Sequence, residues 1–486
     1  MYQPESRLNR QITFADWGQA YGMPLDSKNI WVILADKIPW KEMEHEYVAM
    51  FPSKTGRPAI PFRMALGALI IQKRKGLSDR ALVRELNENP YLQYFIGLET
   101  FTAEVPMKPT VLVNIRKRLD TSYITRANDI FLANCGPSDE HAEGKESEAA
   151  KDANEEREDG TDNLGTAILD ATCSPSNIKY PQDFVLLNKA RELLDEMIDY
   201  FNSAYGPWKK PRTYRRVARE AFLAMAKTKK RSAKKMRRLI RKQLGCVLRN
   251  IGYVEEYMAA GYAPLRKHID KYLTILELYR QQKYMFDNRT HSVGNRIVSI
   301  DQPYIRPVVR GKARTPVEFG AKYDVSIDGD GHARLEKVSF DPYNESGVLI
   351  GAIERYRERN GHYPSRVLVD KIYRTRDNLR FCSENGIEVS GPGLGRPPKE
   401  PRTERMRQNE RDRIEVERFF SKAKRCYGAA LIMTKLAETT MSSIALSVLV
   451  ANMFTLCSGN FFVSFWIGDG NDENGHEIII MEGESA

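Results

Sequence analysis

The stretch Gly165-Thr-Ala-Ile-Leu-Asp170-Ala-Thr decides how the rest of the chain is interpreted. It is a short apolar run that leads to a single carboxylate, Asp170, and it follows a long acidic segment. Apolar runs of this length between polar segments are typical of buried strands, although a short helix can have the same pattern. Because buried strands end at clefts, a carboxylate where such a strand ends is typical of a functional site. We therefore predict a strand that ends at a site acid, Asp170.

The overall charge favours a polyanionic partner. The chain has 486 residues, enough for two to four domains, and a net charge of +11. Ser138 to Asn163 alone carries −8, so the remainder carries +19. Nucleic acid is the polyanion that such a charge suits best. The alternative, that the charge serves solubility only, stays open at this point.

The spacing of the cysteines and histidines indicates a protein without a zinc site in a reducing compartment. The six cysteines and seven histidines are widely spaced and match neither a zinc site nor a disulfide framework. The N-terminus has no apolar signal core. The apolar stretch from Met441 to Cys457 is interrupted by polar residues, which favours a buried helix over a membrane span. We predict a cytoplasmic protein that does not enter a membrane.

Residues 1–136 are predicted to form an all-α N-terminal domain. Apolar spacing predicts short helices, among them Phe62 to Lys73, Asp79 to Asn87 after the N-cap Ser78, and Thr110 to Leu132. Such a module suits a helix-turn-helix-like DNA contact or dimerisation, and the pattern does not separate the two. Residues 137–163 are acidic and lack large apolar residues, so they are predicted to be a flexible linker.

A strongly basic helical region follows Asp170. An amphipathic helix is predicted from Leu186 to Phe201, and residues 207–285 are predicted to be helical and basic. Ten positive charges and no acid stand between Lys227 and Lys242, a density that exceeds what a solvated face usually needs and suits phosphate neutralisation. The alternative, a surface helix that serves solubility only, stays open. The residues predicted to contact DNA here are Lys229, Lys230, Arg231, Lys234, Lys235, Arg237 and Arg238.

Residues 296–340 are predicted to form strands. Ile297 to Ile300 and Tyr304 to Val309 have strand patterns, and Val317 to Ile327 with His332 to Phe340 indicates a hairpin. Its turn, Asp328-Gly-Asp330-Gly, has no EF-hand spacing. We therefore interpret both aspartates as turn residues.

A second aspartate, Asp370, follows an apolar run in the same way as Asp170. Arg366-Val-Leu-Val-Asp370 is another apolar run that ends on an acid. The next apolar pattern, from Arg405 to Tyr427, predicts a long helix. On it, Glu415 stands between Arg411 and Lys422 on one side, which is also the pattern of an ordinary ladder of salt bridges. Two strand-end aspartates and a helical glutamate are what divalent-metal phosphoryl transfer needs, because Mg²⁺ binds oxygen ligands and requires no His or Cys.

The local strings resemble bacterial insertion-sequence DDE transposases. The segment from Leu169 to Arg191 is similar to their first-aspartate segment, and residues 306–322 resemble their central strands. Asp370-Lys-Ile-Tyr373 is similar to their second-aspartate block. Arg411-x3-Glu415-x6-Lys422 resembles their signature helix, through which the resemblance selects Glu415 over Glu417. Gln408 replaces the tyrosine of that signature, and Ile372 replaces a usual glycine.

The resemblance implies a mixed α/β fold in three parts. Residues 164–457 would form a ribonuclease H-like DDE catalytic domain with a basic helical insertion at about 207–290, preceded by the all-α domain and followed by a tail, residues 458–486. The catalytic and metal-binding residues would be Asp170, Asp370 and Glu415, with two Mg²⁺ ions that Mn²⁺ can replace. Further DNA contacts would be made by Arg411, Lys422, Arg310, Lys312, Lys371 and Tyr373.

The implied reaction is cleavage of DNA at transposon ends, followed by joining of the freed 3′-hydroxyl to target DNA. Its partners would be double-stranded DNA, as terminal inverted repeats and target, and a second copy of the chain, in the nucleoid of a bacterial cytoplasm. Two alternatives stay open. One is a metal-dependent nuclease or resolvase of the same fold without strand transfer, and the other is a catalytically silent DNA-binding repressor.

Overall fold

A computed structural model describes residues 25–52, 55, 58–134, 163–206, 210–309, 317–391 and 403–457. Several predictions lie outside these residues: the linker except Asn163, the contacts Arg310 and Lys312, and the tail after Cys457. The described chain is a mixture of helices and strands around one six-stranded sheet. The mixed α/β prediction is confirmed at this level.

The described part of residues 25–134 is built of seven helices. Their bounds are Ile30–Lys37 (α1), Trp40–Ala49 (α2), Phe62–Lys75 (α3), Asp79–Glu88 (α4), Pro90–Phe95 (α5), Pro109–Arg118 (α6) and Thr121–Asn134 (α7). Helix α3 is the centre of this group, because its first ten residues are all buried. Ser78 caps α4 as predicted and accepts a hydrogen bond from the Ala81 N–H at 3.2 Å.

The single helix predicted from Thr110 to Leu132 is wrong, because the chain forms α6 and α7 with a break at Leu119 and Asp120. The Asp120 carboxylate accepts the backbone N–H of Tyr123 at 2.8 Å, which is the hydrogen bond of a helix N-cap. The local side-chain acceptor therefore starts a second helix inside a continuous apolar pattern.

The sheet is mixed. Its strands are Thr166–Pro175 (β1), Arg306–Val309 (β2), Val317–Asp328 (β3), Ala333–Ser339 (β4), Arg366–Val369 (β5) and Glu388–Ser390 (β6). The order is β2-β3-β1-β5-β6. Strand β4 pairs with residues 322–327 of β3, beyond the residues 317–320 that pair with β2. Strand β1 is antiparallel to β3 and parallel to β5. The predicted hairpin is present as β3 and β4.

The strand predicted at Ile297 to Ile300 is wrong. The segment is buried but has no strand partner among the described residues. The Ile297 N–H donates to the side-chain oxygen of Gln281 at 2.9 Å. A buried backbone group must be hydrogen-bonded, and here a side chain replaces the neighbouring strand.

A helical bundle is inserted between β1 and β2. Its helices are Asp183–Tyr205 (α8), Arg215–Ala226 (α9), Ala233–Ala259 (α10) and Arg266–Asp287 (α11). Helices α8, α10 and α11 share one hydrophobic cluster, so α8 belongs to the insertion, which begins before the predicted residue 207. The basic run is not one helix: α9 ends at Ala226 and α10 begins after its N-cap Ser232.

Helices cover both faces of the sheet. One face carries Leu349–Asn360 (α12), which follows a 3₁₀ turn at Glu345–Val348, and the neighbouring helix is Arg376–Glu384 (α13). The other face carries Glu404–Cys426 (α14) and Ala437–Cys457 (α15). The predicted apolar stripe of α14 is confirmed, because its members from Val416 to Tyr427 are buried or partly buried.

Helix α15 also completes the core of the N-terminal helices. It packs against α7, α1 and α3, and its buried residues belong to the same hydrophobic cluster as theirs. It is long and apolar enough to cross a membrane by length and composition, but most of it is buried inside the protein, as predicted.

Candidate active site

Asp170 and Asp370 are neighbours across two parallel strands. The pairing of β1 with β5 ends at Leu169 opposite Val369, and the two aspartates are the next residues on each side. Parallel strands lie about 4.8 Å apart, so the two aspartates lie side by side on adjacent strands. One oxygen of each accepts the N–H of the following residue at 2.7 Å, namely Ala171 and Lys371.

The strand end at this site is that of β5, not of β1. Asp370 directly follows β5, as predicted. Asp170 lies in the middle of β1, which continues to Pro175 because β3 pairs with it as far as Gly320. The prediction that Asp170 ends its strand is therefore wrong. Asp170 instead lies beside the end of the neighbouring strand, β5.

The Asp170 side chain is on the α14 face of the sheet. Ile168 packs in the α14 cluster, and residues two apart on a strand share a face. Two positions further, the Thr172 hydroxyl accepts a hydrogen bond from Lys424 Nζ on α14 at 2.8 Å. Helix α14 thus lies over the strand that carries the first acid.

The surroundings of Asp170 are short of positive charge. Burial raises the pKa of Asp170 to about 6, against the hydrogen bond from the Ala171 N–H. Glu345 and Asp370 raise the pKa further, and Arg413 lowers it. Asp370 itself is exposed. Two aspartates on adjacent strands, one of them exposed, fit a divalent cation, which would favour their charged forms.

The structure does not bring Glu415 to this pair. Glu415 lies on α14 with Arg418 as its ion-pair partner. The predicted flanking cations are on the same side of the helix, where Arg411 pairs with Glu404 at 2.9 Å and Lys422 donates to Thr455 at 3.0 Å. None of these three is among the main groups that shift the pKa of Asp170.

Glu417 flanks the helix face that meets β1. It follows Arg413 by one turn, and the two side chains lie 4.0 Å apart. At 3.6 residues per turn, Glu415 is about 160° around the helix from Glu417. The same signature spacing also exists in this second frame, as Arg413-x3-Glu417-x6-Lys424, and its two cations are the ones beside Asp170 and Thr172. A search of both frames would have found it in the sequence.

No third carboxylate lies close enough to share an ion with Asp170 and Asp370 in the described part of the chain. The Glu417 side chain is 59% exposed, and its ion pair with Arg413 is long. It can therefore rotate without breaking a buried contact.

One compact group of metal-type ligands exists elsewhere among the described residues, at the β3–β4 turn: Asp328, Asp330 and His332. Asp328 accepts the backbone N–H groups of Asp330 and His332 and an Arg334 guanidinium N–H at 2.7 Å. Despite burial, the hydrogen bonds and charges of His332 and Arg334 lower the pKa of Asp328 to about 2. These contacts agree with turn residues, and the Asp328 carboxylate is already paired with the Arg334 guanidinium.

The predicted DNA contacts of the insertion separate into two kinds. Lys229, Lys230 and Arg231 lie in the turn between α9 and α10, and Lys234, Lys235 and Arg238 are exposed at the start of α10. Arg231 also stacks over Phe184, with its guanidinium carbon 5.0 Å from the ring centre. Arg237 is partly buried, lies 4.0 Å over Phe286, and donates to its carbonyl oxygen at 2.9 Å. These two arginines have structural partners inside the bundle.

The two predicted contacts after Asp370 differ in exposure. Lys371 is exposed and begins a 3₁₀ turn that ends at Tyr373. Tyr373 is 0% exposed, and its hydroxyl donates to Asp324 at 2.8 Å. The predicted DNA contact by Tyr373 is therefore wrong, because its side chain is buried and hydrogen-bonded inside the protein.

A mixed sheet with two aspartates on adjacent strands beside a basic helix is an arrangement that suits nucleic-acid phosphates. Residues 367–454 match the family model described as "Transposase DDE domain", and residues 22–118 match "Transposase domain (DUF772)". These matches confirm the resemblance to insertion-sequence DDE transposases and indicate a transposase-family protein. The first match includes Asp370 and both glutamates, while Asp170 lies outside it.

A named relative adds a partial match. The chain is 28% identical over 163 residues to "Uncharacterized protein ORF8 in nfe locus" of Rhizobium meliloti, which is 34% of this chain and 70% of that protein. No solved structure matches the chain.

Proposed function

We propose that this protein cuts transposon ends and joins them to target DNA by metal-dependent phosphoryl transfer on a ribonuclease H-like core. The observation that carries the proposal is the register of β1 and β5, which makes Asp170 and Asp370 neighbours. The strand order, with β5 and β6 added in parallel to β1, is consistent with such a core. The transposase family matches support the class of reaction.

Asp170 and Asp370 would hold the metal, with Mg²⁺ as the proposed ion and Mn²⁺ as its substitute. Two such ions activate the attacking oxygen and neutralise the leaving one when they are bound. The protein's own contribution would be to hold the two carboxylates in adjacent register and to place Arg413 and Lys424 near the DNA phosphates. The resemblance selects Glu415 as the third acid, and the geometry favours Glu417 in its place.

The exposed lysines around the start of α10 are proposed to bind the flanking or terminal DNA. Lys229, Lys230, Lys234 and Lys235 are concentrated at one end of a rigid helical bundle, which suits phosphate contacts. Arg411 and Lys422 remain proposed phosphate contacts on the Glu415 side of α14, and Lys371 beside Asp370. Because two transposon ends must be handled, we propose a homodimer acting in the bacterial cytoplasm.

One assay separates this function from the two alternatives. Full-length protein is mixed with DNA that bears the element's own ends, together with Mg²⁺ or Mn²⁺, beside Asp170→Asn and Asp370→Asn. Joined products from the wild type, lost in both variants, support transposition. Cutting without joining would support the nuclease, and DNA binding with no chemistry would support the repressor.

A further inference from the structure

The turn that carries Asp370 is tied to the protein from beneath by Tyr373. Asp370 begins a 3₁₀ turn of three residues, Lys371–Tyr373, and its own backbone carbonyl accepts the Tyr373 N–H at 3.1 Å. The Tyr373 ring is completely buried. Its hydroxyl donates to Asp324 Oδ1 at 2.8 Å. The last residue of the turn is thus fixed at both its backbone and its side chain.

Asp324 is a buried acceptor on the neighbouring strand of the sheet. It lies on β3 opposite Ala171, the residue after Asp170, and is 0% exposed. Its second oxygen accepts the hydroxyl of Tyr343. Burial raises the pKa of Asp324 to about 6, and the two tyrosine hydrogen bonds act against that rise. A buried carboxylate with two hydroxyl donors is a fixed anchor, because moving either donor leaves a buried acceptor unsatisfied.

This anchor is on the opposite face of the sheet from the Asp170 carboxylate. Tyr323 and Val325, the neighbours of Asp324 on β3, pack in the α14 cluster, so Asp324 itself points to the α12 face. Asp170 is on the α14 face, where the cation and DNA would approach. Asp324 and Tyr373 therefore do not face the reacting groups.

We propose that Tyr373 is a positioning residue whose hydroxyl, held by Asp324, keeps the Asp370 carboxylate in register with Asp170 for metal binding. The inference rests on the proposed function, because it presumes that the two aspartates hold the ion. Without the hydroxyl, the turn keeps its backbone hydrogen bonds, from the Tyr373 N–H to Asp370 and from the Arg374 N–H to Lys371, but it loses the side-chain connection to β3. Removing a residue that holds a metal ligand in position, without binding the metal itself, typically weakens metal affinity by about 10- to 100-fold.

The test is a Mn²⁺ titration of the full-length protein without DNA, followed by electron paramagnetic resonance of the free ion. Tyr373→Phe removes one oxygen and keeps the buried ring. Tyr343→Phe is the matched control, because it removes the other donor to the same Asp324 but lies outside the Asp370 turn. We expect Tyr373→Phe to weaken Mn²⁺ binding by about tenfold or more, with Tyr343→Phe binding as the wild type does.

Two results would overturn the inference: wild-type Mn²⁺ affinity in Tyr373→Phe, or equal weakening in both tyrosine variants. The second would mean that the Asp324 network acts only through general stability, which thermal unfolding of both variants checks. Asp370→Asn distinguishes failure of the proposed function. If that variant binds Mn²⁺ as tightly as the wild type, the aspartates do not hold the ion, and both the proposed function and this inference are rejected.

Discussion

Asn452 on α15 and Asn128 on α7 form a buried side-chain hydrogen bond of 2.7 Å, and both also reach the backbone of Ala333 at the start of β4. The Asn452 side chain accepts the Ala333 N–H at 3.1 Å and donates to its carbonyl oxygen at 2.7 Å. One amide therefore joins the N-terminal helices, the last described helix and the sheet.

Replacing Asn452 with alanine should destabilise the whole protein. The substitution leaves both backbone groups of Ala333 and the Asn128 amide with fewer partners in a buried site, and each unsatisfied group costs about 1–3 kcal/mol. We expect a lower thermal unfolding temperature, measured by circular dichroism. Asn134→Ala is the control on α7, since its side chain is exposed and contacts Glu42. Equal melting of the two variants would contradict the expectation.

The raised pKa of Asp170 predicts a pH-dependent stability effect. The folded-state pKa is about 6 against an ordinary value of 3.8, so the charged carboxylate destabilises the folded protein above about pH 6, and the penalty is relieved as the pH falls toward 4. Without metal, Asp170→Asn should therefore melt at a higher temperature than the wild type at about pH 8. This difference in melting temperature should disappear at about pH 4.5. A difference in melting temperature that does not change with pH would show that the pKa of Asp170 is not raised.

The two glutamates of α14 give opposite expectations. Glu417→Gln should lower strand cleavage by at least about a hundredfold, because a ligand of the proposed metal, and with it part of the electrostatic stabilisation of the transition state, is lost. Glu415→Gln removes the ion pair with Arg418 on the other side of the helix and should keep most of the activity. Each variant is the other's control, because both keep the shape of the side chain. An inactive Glu415→Gln beside an active Glu417→Gln would restore the assignment made from the signature.

The basic turn before α10 should contribute to DNA affinity without sequence preference. Lys229→Ala/Lys230→Ala should weaken binding and lower the salt slope by about 0.9 for each phosphate that is no longer neutralised. The matched control is Arg266→Ala/Lys267→Ala, two exposed cations at the start of α11. Because α10 and α11 are consecutive antiparallel helices, this control lies at the other end of the same bundle, and α10 itself is about 40 Å long. Fluorescence anisotropy at several salt concentrations measures both, and equal weakening of the two double variants would exclude a localised DNA contact.

The strands that carry Asp170 and Asp370 could be predicted from sequence because each is an apolar run with a carboxylate after it. Their adjacency could not, since the register of β1 and β5 depends on pairing across 200 residues. The resemblance implied a DNA contact for Tyr373, whereas the residue is buried and hydrogen-bonded to Asp324, a distant residue of β3. In each case the decisive contact is between segments that local patterns treat separately.

The choice between Glu415 and Glu417 shows a different limit. Both lie in the same spacing of arginine, glutamate and lysine, so the string alone does not separate them. Only the side on which β1 packs distinguishes the two frames. The stripe of Val416, Phe420 and Ala423 correctly predicts the buried face, and the position of β1 relative to that face required the structure.

The shared core of α15 and the N-terminal helices has a consequence for how copies of such an element would decay. A stop codon between α14 and α15 would leave every proposed catalytic residue in the product, yet it would remove the helix that fills the space between α1, α3 and α7. The shortened product would expose the apolar surface of the described N-terminal helices, α1 to α7. We therefore expect that loss of α15 would not release a stable DNA-binding fragment able to repress intact copies, because the described N-terminal helices would lose part of their core.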